Sequence, residues 1–188
     1  MTKKEQILAT ALTLFIENGF EKTPTSLISK EAGVATGTLF HHFKTKEELI
    51  DALYIDVKTS ILREMSTGLA GKQGVKEQFR YIWESFVAWV LKYPKKFQFL
   101  NQFKESPHIS GNTRQKVGET FQFFNDMMNE GKRDGIFYDL PIDLLTMIAF
   151  TNISTICLYF LENPQDFVNE DFRETAFVSF WRSISQKE

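Results

Sequence analysis

Residues Thr25–Asp51 read TSLISKEAGVATGTLFHHFKTKEELID, two short apolar-periodic segments on either side of an Ala-Gly-Val corner, followed by a Thr-x-x-Glu helix start. A helix, a glycine turn and a second short helix in so few residues is the arrangement of a helix-turn-helix, which lays its second helix in the major groove of DNA. The remainder of the chain has to be compatible with that reading.

Upstream, Lys3–Asn18 carries Ile7, Leu8, Ala11, Leu12 and Phe15 on one helical face, with Thr2 and Glu5 in capping-box spacing. Gly19 and Phe20 suit a glycine cap with an apolar residue folding back. Thr23 and Pro24 open a second helix that closes at Ala32, and a third runs from Ala35 or Thr36 to about Phe43. Thr45 and Glu48 repeat the capping-box pattern, so a fourth helix follows at once. The segment STGLAGKQG, with three glycines, is the expected boundary between head and body. Beyond it, helices are expected at about 74–92, 95–105, 112–134, 141–162 and 169–186. Apolar residues recur at three and four throughout and β-branched alternation is absent, so the fold class is all-α, with about nine helices. The expected domains are 1–50, a three-helix DNA-binding head, and 51–188, a helical body joined to it through the fourth helix.

With 188 residues, 43% hydrophobic and 24% charged, the chain is expected to fold as a globular protein. No apolar run is read as approaching the ~20 residues of a spanning helix, and polar residues interrupt the N-terminal segment as a signal peptide. No membrane segment is expected. A single cysteine, Cys157, excludes an internal disulfide framework and agrees with a reducing, cytoplasmic compartment. The first 50 residues hold six lysines and six glutamates, so any attraction for phosphate is local, around His41, His42, Lys44 and Lys46.

Successive helical residues advance by about 100°, which puts Leu39 and Phe43 on one side of the third helix and Gly37, Thr38 and His41 away from them. The apolar pair is expected to pack on Ile28, Ala32 and the first helix. The opposite face is short and rich in donors: Gly37 permits close backbone approach, while hydroxyls and imidazoles can meet phosphates or base edges. A solvated face of a small bundle has the same pattern.

AGVATGTLFHHFKTKEELIDAL resembles the N-terminal signature of the TetR family of transcriptional regulators, an Ala-Gly-Val corner, a Gly-Thr-Leu-Tyr-x-His-Phe recognition helix and a Lys-Glu-x-Leu start to the fourth helix. The close match spans about residues 5 to 53. The resemblance implies that Thr36, Gly37, Thr38, Phe40, His41 and His42 face DNA, that Lys46 meets a phosphate, and that Thr25 and Ser26 touch the backbone or a base. Two positions depart from the pattern. Phe40 stands where the family usually has tyrosine, so a hydroxyl commonly given to phosphate is lost. Ala35 replaces a frequent capping serine, leaving Thr36 to cap one residue later or the helix ~1 kcal/mol poorer.

Fifteen of the 19 phenylalanines lie after residue 50, with Trp83, Trp89 and Trp181. That aromatic mass suits a large core, a cavity for an apolar or aromatic ligand, or a partner surface. A pocket is expected among helices five to eight, walled by Trp83, Phe86, Phe99, Phe103, Phe121, Phe124, Met128 and Phe150, with Asn152 and His108 as polar anchors. An inter-subunit hydrogen bond is the alternative role for Asn152. The last two helices carry apolar stripes, Leu145, Ile148, Ala149, Ile153, Ile156 and Phe160 in one, Phe172, Ala176, Phe177, Phe180, Trp181 and Ile184 in the other. The resemblance implies that these helices form a four-helix bundle with a second copy, and two heads one turn apart, ~34–36 Å, match a palindrome.

No metal-ligand spacing, phosphate loop, nucleophile elbow or inward pair of acids is present, so no cofactor, metal or catalytic residue is expected. The combined expectation is a homodimeric DNA-binding repressor, bound to a palindromic operator and released by a small apolar or aromatic effector that shifts the fourth helix. Its rivals are a regulator without an effector and, from another class, a helical enzyme with an aromatic substrate cavity.

Overall fold

In the computed structural model, which describes Met1–Gln186, the chain begins with a reciprocal cap. The Thr2 hydroxyl accepts from the Glu5 N–H at 3.2 Å, and the Glu5 carboxylate accepts from the Thr2 N–H at 2.7 Å. This starts α1 (Lys3–Asn18), which buries Ile7, Ala11, Leu12 and Phe15 and stops at Gly19, whose φ of +78° glycine adopts readily. Phe20 then folds back to 5.5 Å from the Phe15 ring. The Thr23 hydroxyl closes the corner by donating to the Gly19 carbonyl at 2.7 Å. α2 (Thr25–Glu31) follows Pro24, Gly33 turns at φ +63°, and α3 (Thr36–His42) follows Ala35. No side chain caps α3; the Thr36 hydroxyl pairs instead with the Ser29 hydroxyl of α2 at 3.2 Å. α4 (Lys46–Ser66) starts where the Thr45 hydroxyl accepts from the Glu48 N–H at 3.1 Å and the Glu48 carboxylate from the Lys44 N–H at 2.7 Å.

A 3-10 turn at Leu69–Gly71 precedes α5 (Val75–Lys92), α6 (Pro94–Phe103), α7 (Gly111–Thr120), α8 (Gln122–Arg133), α9 (Ile142–Glu162), α10 (Pro164–Val168) and α11 (Glu170–Arg182). Among the described residues there are thus eleven α-helices rather than about nine, and the only β pairing is an isolated bridge between Phe137 and Ser185. Two local events account for the difference. The helix expected over 112–134 breaks at Phe121, whose ψ of 14° leaves the helical region. Pro164, tolerated at a first helical position, opens a short separate helix before Asn169 caps α11 through a 3.1 Å bond from the Phe172 N–H.

By packing, the chain forms two units, and their bounds differ from a division at residue 50. Met1–Ser60 and Tyr93–Glu119 make the first, in which α1 packs on α2, α3 and α6. The physical reason is the ring content of α6: Phe97, Phe99, Leu100 and Phe103 are buried, and Phe103 lies 6.3 Å from Phe15. Ile61–Lys92 and the chain from Thr120 make the second, where α9 packs on α5, α8, α10 and α11. Its centre is a ring cluster: Phe79 lies 5.5 Å from Phe124, 5.3 Å from Phe137 and 5.9 Å from Trp181, and Trp83 lies 5.7 Å from Phe177. Residues 187 and 188, the end of the expected second domain, lie outside the described chain.

The expectation that no segment is long enough to span a membrane needs correction. By length and composition α9 is, with 21 residues and no charge between Asp143 and Glu162. One side is committed within the second unit, where Leu145, Ala149, Ile153, Cys157 and Phe160 are buried.

Two glycines of the chain respond oppositely to a methyl group. A Cβ at Gly131 would collide with the Phe137 ring, whereas one at the exposed helical Gly118 meets nothing within 4 Å. Gly131→Ala is expected to destabilise by about 1–3 kcal/mol through overpacking. Gly118→Ala should stabilise by about 0.5–1 kcal/mol through helix propensity; urea unfolding of both variants checks the opposite signs.

Candidate nucleic-acid interface

α3 is amphipathic over only seven residues. Leu39 is 0% and Phe43 3% exposed, and beneath them Ile28 of α2 is also 0% exposed, while Ala32 is half-buried. That underside turns Thr36, Gly37, Phe40, His41 and His42 to solvent, with Thr38 half-buried beside them. The face carries two imidazoles, whose rings sit 5.3 Å apart at 71°, and a glycine with nothing near its missing Cβ. Ser26 is exposed and Thr25 half-buried in the first turn of α2. These groups offer hydroxyl and imidazole donors and acceptors on a thin element, the chemistry needed to reach phosphates and base edges. Exposed Phe40 contributes a ring but no hydroxyl.

Lys46 is placed differently from a simple surface cation. Its ammonium donates to the Phe20 carbonyl at 2.9 Å and lies 4.2 Å from the Phe20 ring centroid, so it is half-buried and oriented by α1's terminal loop. Sequence reasoning put His108 in a ligand pocket. In the structure it stacks on Phe20, centroids 4.1 Å apart at 20°, with Nε2 3.4 Å from a Glu21 carboxylate oxygen. No helical periodicity could announce that contact, because His108 lies in the loop between α6 and α7, far along the chain from Phe20.

The residues expected to wall a pocket divide between the two packing units. Phe99 and Phe103 belong to the first, stacked at 4.8 Å. Trp83, Phe86, Phe121, Phe124, Met128, Phe150 and Asn152 belong to the second, where Trp83, Phe86 and Met128 are buried in the core. Trp83 Nε1 and the side-chain oxygen of Asn152 are both buried without a hydrogen-bond partner. Asn152 also borders a surface groove of about 700 Å³ with Leu144, Met147, Ile148, Thr151, Thr155, Ile156 and Ser179. The stripes expected to meet a second copy are largely the inward ones: Leu145, Ala149, Ile153 and Phe160 of α9, and Phe177, Phe180 and Trp181 of α11, are buried within their own unit. The large hydrophobic side chains that α9 leaves outside are Leu144, Met147, Leu158 and Tyr159, 42%, 66%, 53% and 43% exposed. The period of 3.6 revealed the stripes, but α9 is apolar on more than one side, and periodicity alone does not say which side faces inward. Among the described residues no cluster of three or more histidine, cysteine or acidic side chains could hold a metal. Cys157 is fully buried, which pushes its thiol up and keeps it protonated.

The chain matches two family descriptions, "Bacterial regulatory proteins, tetR family" over residues 7–53 and "Tetracyclin repressor-like, C-terminal domain" over residues 74–185. It is similar to a solved putative tetR family transcription regulator from Shewanella sp. PV-4, 30% identical over the whole of both chains with a TM-score of 0.90. A curated relative, the HTH-type transcriptional repressor KstR2 of Mycolicibacterium smegmatis, is 27% identical, with 77% of this chain and 72% of the relative covered. The fold is also that of the regulator FadR from Bacillus subtilis in complex with stearoyl-CoA, with a TM-score of 0.70, 22% identity, and 98% and 99% of the two chains covered. Helical architecture, outward-facing α3 and both family matches lead to one conclusion: the chain belongs to the TetR family. It is a DNA-binding transcriptional regulator, and regulators of this family bind DNA operators and typically dimerise.

Further along, α4 carries a half-buried cation. Burial, and then the like charge of Lys104, push the Lys58 ammonium down to about 8 from its usual 10.5. Below pH 8 both folded and unfolded chains hold the proton, and the cost of burying the charge is fully present. Between about 8 and 10.5 the unfolded chain binds more protons than the folded one, so stability rises with pH across that window. Lys58→Met is expected to raise the urea midpoint at pH 7 and to flatten its rise between pH 8 and 10.5.

Proposed function

We propose that this protein is a homodimeric repressor whose paired α3 helices read a palindromic operator and whose helical body takes a small, largely apolar or aromatic effector that releases it. The observation that carries the reading is the outward face of Thr36, Gly37, Thr38, Phe40, His41 and His42, held there by buried Leu39 and Phe43. Thr25 and Ser26 stand beside it to meet the DNA backbone or a base, and the Lys46 ammonium, with one of its three protons on Phe20, keeps two for a phosphate. Residues 1–50 then form the reading head, and 51–188 the part that dimerises and binds effector.

Support for a second copy comes from α9. Between Asp143 and Glu162 its outer side, with Leu144, Met147, Thr151, Thr155 and Leu158, is exposed and carries no charge. Such a face can meet its own copy without like-charge repulsion, and threonine hydroxyls both donate and accept across a two-fold axis. The effector reading rests on the aromatic body, with Trp83 Nε1 and the Asn152 oxygen among its unsatisfied buried polar atoms, beside those of Gln78, Thr146 and Ser154. A regulator of the same fold, FadR of Bacillus subtilis, is solved in complex with stearoyl-CoA, a molecule with a long apolar chain, which agrees with an apolar effector. Effector binding and operator release are one linked equilibrium: each ~1.4 kcal/mol by which the effector prefers the non-binding conformation lowers operator affinity tenfold. The work is binding rather than catalysis, and its place is the cytoplasm, where operators are.

A footprint of the purified protein on DNA upstream of its own gene tests the whole reading; protection of a palindrome spanning two adjacent major grooves is expected, and lack of any protected palindrome there or genome-wide would overturn it. Lys46→Ala is expected to weaken binding to all duplexes similarly and to reduce the salt slope by about one, whereas Thr38→Ala or His41→Ala changes sequence preference. Met147→Glu, which puts a carboxylate on the α9 face, should shift sedimentation from dimer to monomer.

A further inference from the structure

Phe20 is a meeting point of three segments distant in sequence. It follows α1, its ring is 5% exposed, and it lies 5.5 Å from Phe15. From the start of α4, Lys46 sets its ammonium 4.2 Å from the ring centroid and donates to the same residue's carbonyl at 2.9 Å. From the α6–α7 loop, the His108 imidazole lies parallel to the ring at 4.1 Å. An imidazole plane covering one face of the ring leaves the other to the ammonium. The loop carrying His108 is itself anchored: the Ser110 N–H donates to the Asp51 carboxylate of α4 at 2.9 Å, and Arg114 of α7 donates to the Ser106 carbonyl at 2.7 Å. All these residues belong to the first packing unit.

We propose that His108 is a positioning residue for DNA binding: through the Phe20 ring it fixes the seat of the Lys46 ammonium, so that the α6–α7 loop governs a phosphate contact made by the head. This rests on the reading that Lys46 meets a phosphate. A lysine on four rotatable bonds loses much of its side-chain entropy when ordered. A seat formed before DNA arrives removes part of that loss from the binding step. The stack, rather than the ion pair, carries the effect. The Glu21 side chain is 79% exposed, and pairs so exposed contribute little. A ring stacked on a buried ring keeps its contact in any salt.

The test is a double-mutant cycle read as affinity for a mixed-sequence duplex at low and moderate salt, with thermal melting of every variant alongside. His108→Ala is expected to weaken binding roughly three- to tenfold in the wild-type background and to have no further effect in the Lys46→Ala background. His108→Phe, which keeps the stack, should bind within about twofold of wild type, as should Glu21→Gln, which removes only the pair. His108→Gln, polar but ringless, is measured beside alanine so that a failure of His108→Ala to fold leaves the comparison intact. Additive losses from His108→Ala and Lys46→Ala, or equal losses from His108→Phe and His108→Ala at unchanged melting temperature, overturn the proposal. If Lys46→Ala alone changes neither affinity nor salt slope, it is the Lys46 reading that falls, and the two failures are told apart by that single variant.

Discussion

The burial of two side chains, Leu39 and Phe43, where α3 packs on α2, is the constraint on which the outward face of α3 depends. A helix of seven residues is far too short to be stable by itself in water, and α3 lacks a capping side chain at its start. Its geometry is therefore held by what lies under it. Each large apolar side chain taken from water contributes about 1.5–3 kcal/mol, and the Thr36–Ser29 hydroxyl pair pins the entry to the helix. With the underside committed, the opposite face has nowhere to go but outward.

That head does not end where its motif ends. The rings of α6 reach α1, with Phe103 6.3 Å from Phe15, and polar links follow, Lys95 to the Thr13 hydroxyl at 3.2 Å and Lys96 to Asp56 at 2.8 Å. The relative weights are clear. Exposed ion pairs contribute at most about 1 kcal/mol, while Phe97, Phe99 and Phe103, all nearly inaccessible, supply the larger apolar term. Residues 93–119 thus share a packing unit with α1, α2 and α3. A change in their packing has a physical route to the outward face of α3. The second unit is organised otherwise, around the contacts of Phe79 and Trp83 with rings of α8, α9 and α11. Arg80 closes one flank by lying 4.0 Å over Phe177 while both its terminal nitrogens pair with Glu174.

Much of this was legible in the residues because it is local. Thr2 and Glu5 specify a helix start through bonds spanning three residues, Gly19 and Gly33 mark corners through backbone angles, and the i, i+4 spacing of Leu39 and Phe43 gives α3 an inside and an outside. What was missed is of two kinds. The break at Phe121 replaces a helix that the pattern of 112–134 continues, since no glycine or proline stands at it and Gly118, three residues earlier, is still helical. The placement of His108, the seating of Lys46 on Phe20 and the division of the supposed pocket walls between two units all join residues tens of positions apart, where periodicity is silent.

The chain by itself determined its helical class, the order and most of the ends of its elements, and which face of α3 turns outward, because caps, corners and stripes are interactions within one or two turns. Only the tertiary structure decided which side of α9 is inward, which rings share a core, and which segment steadies the Lys46 ammonium. An apolar residue specifies that it will be buried, not against what. The choice among many greasy surfaces is made by shape and close packing across the whole fold.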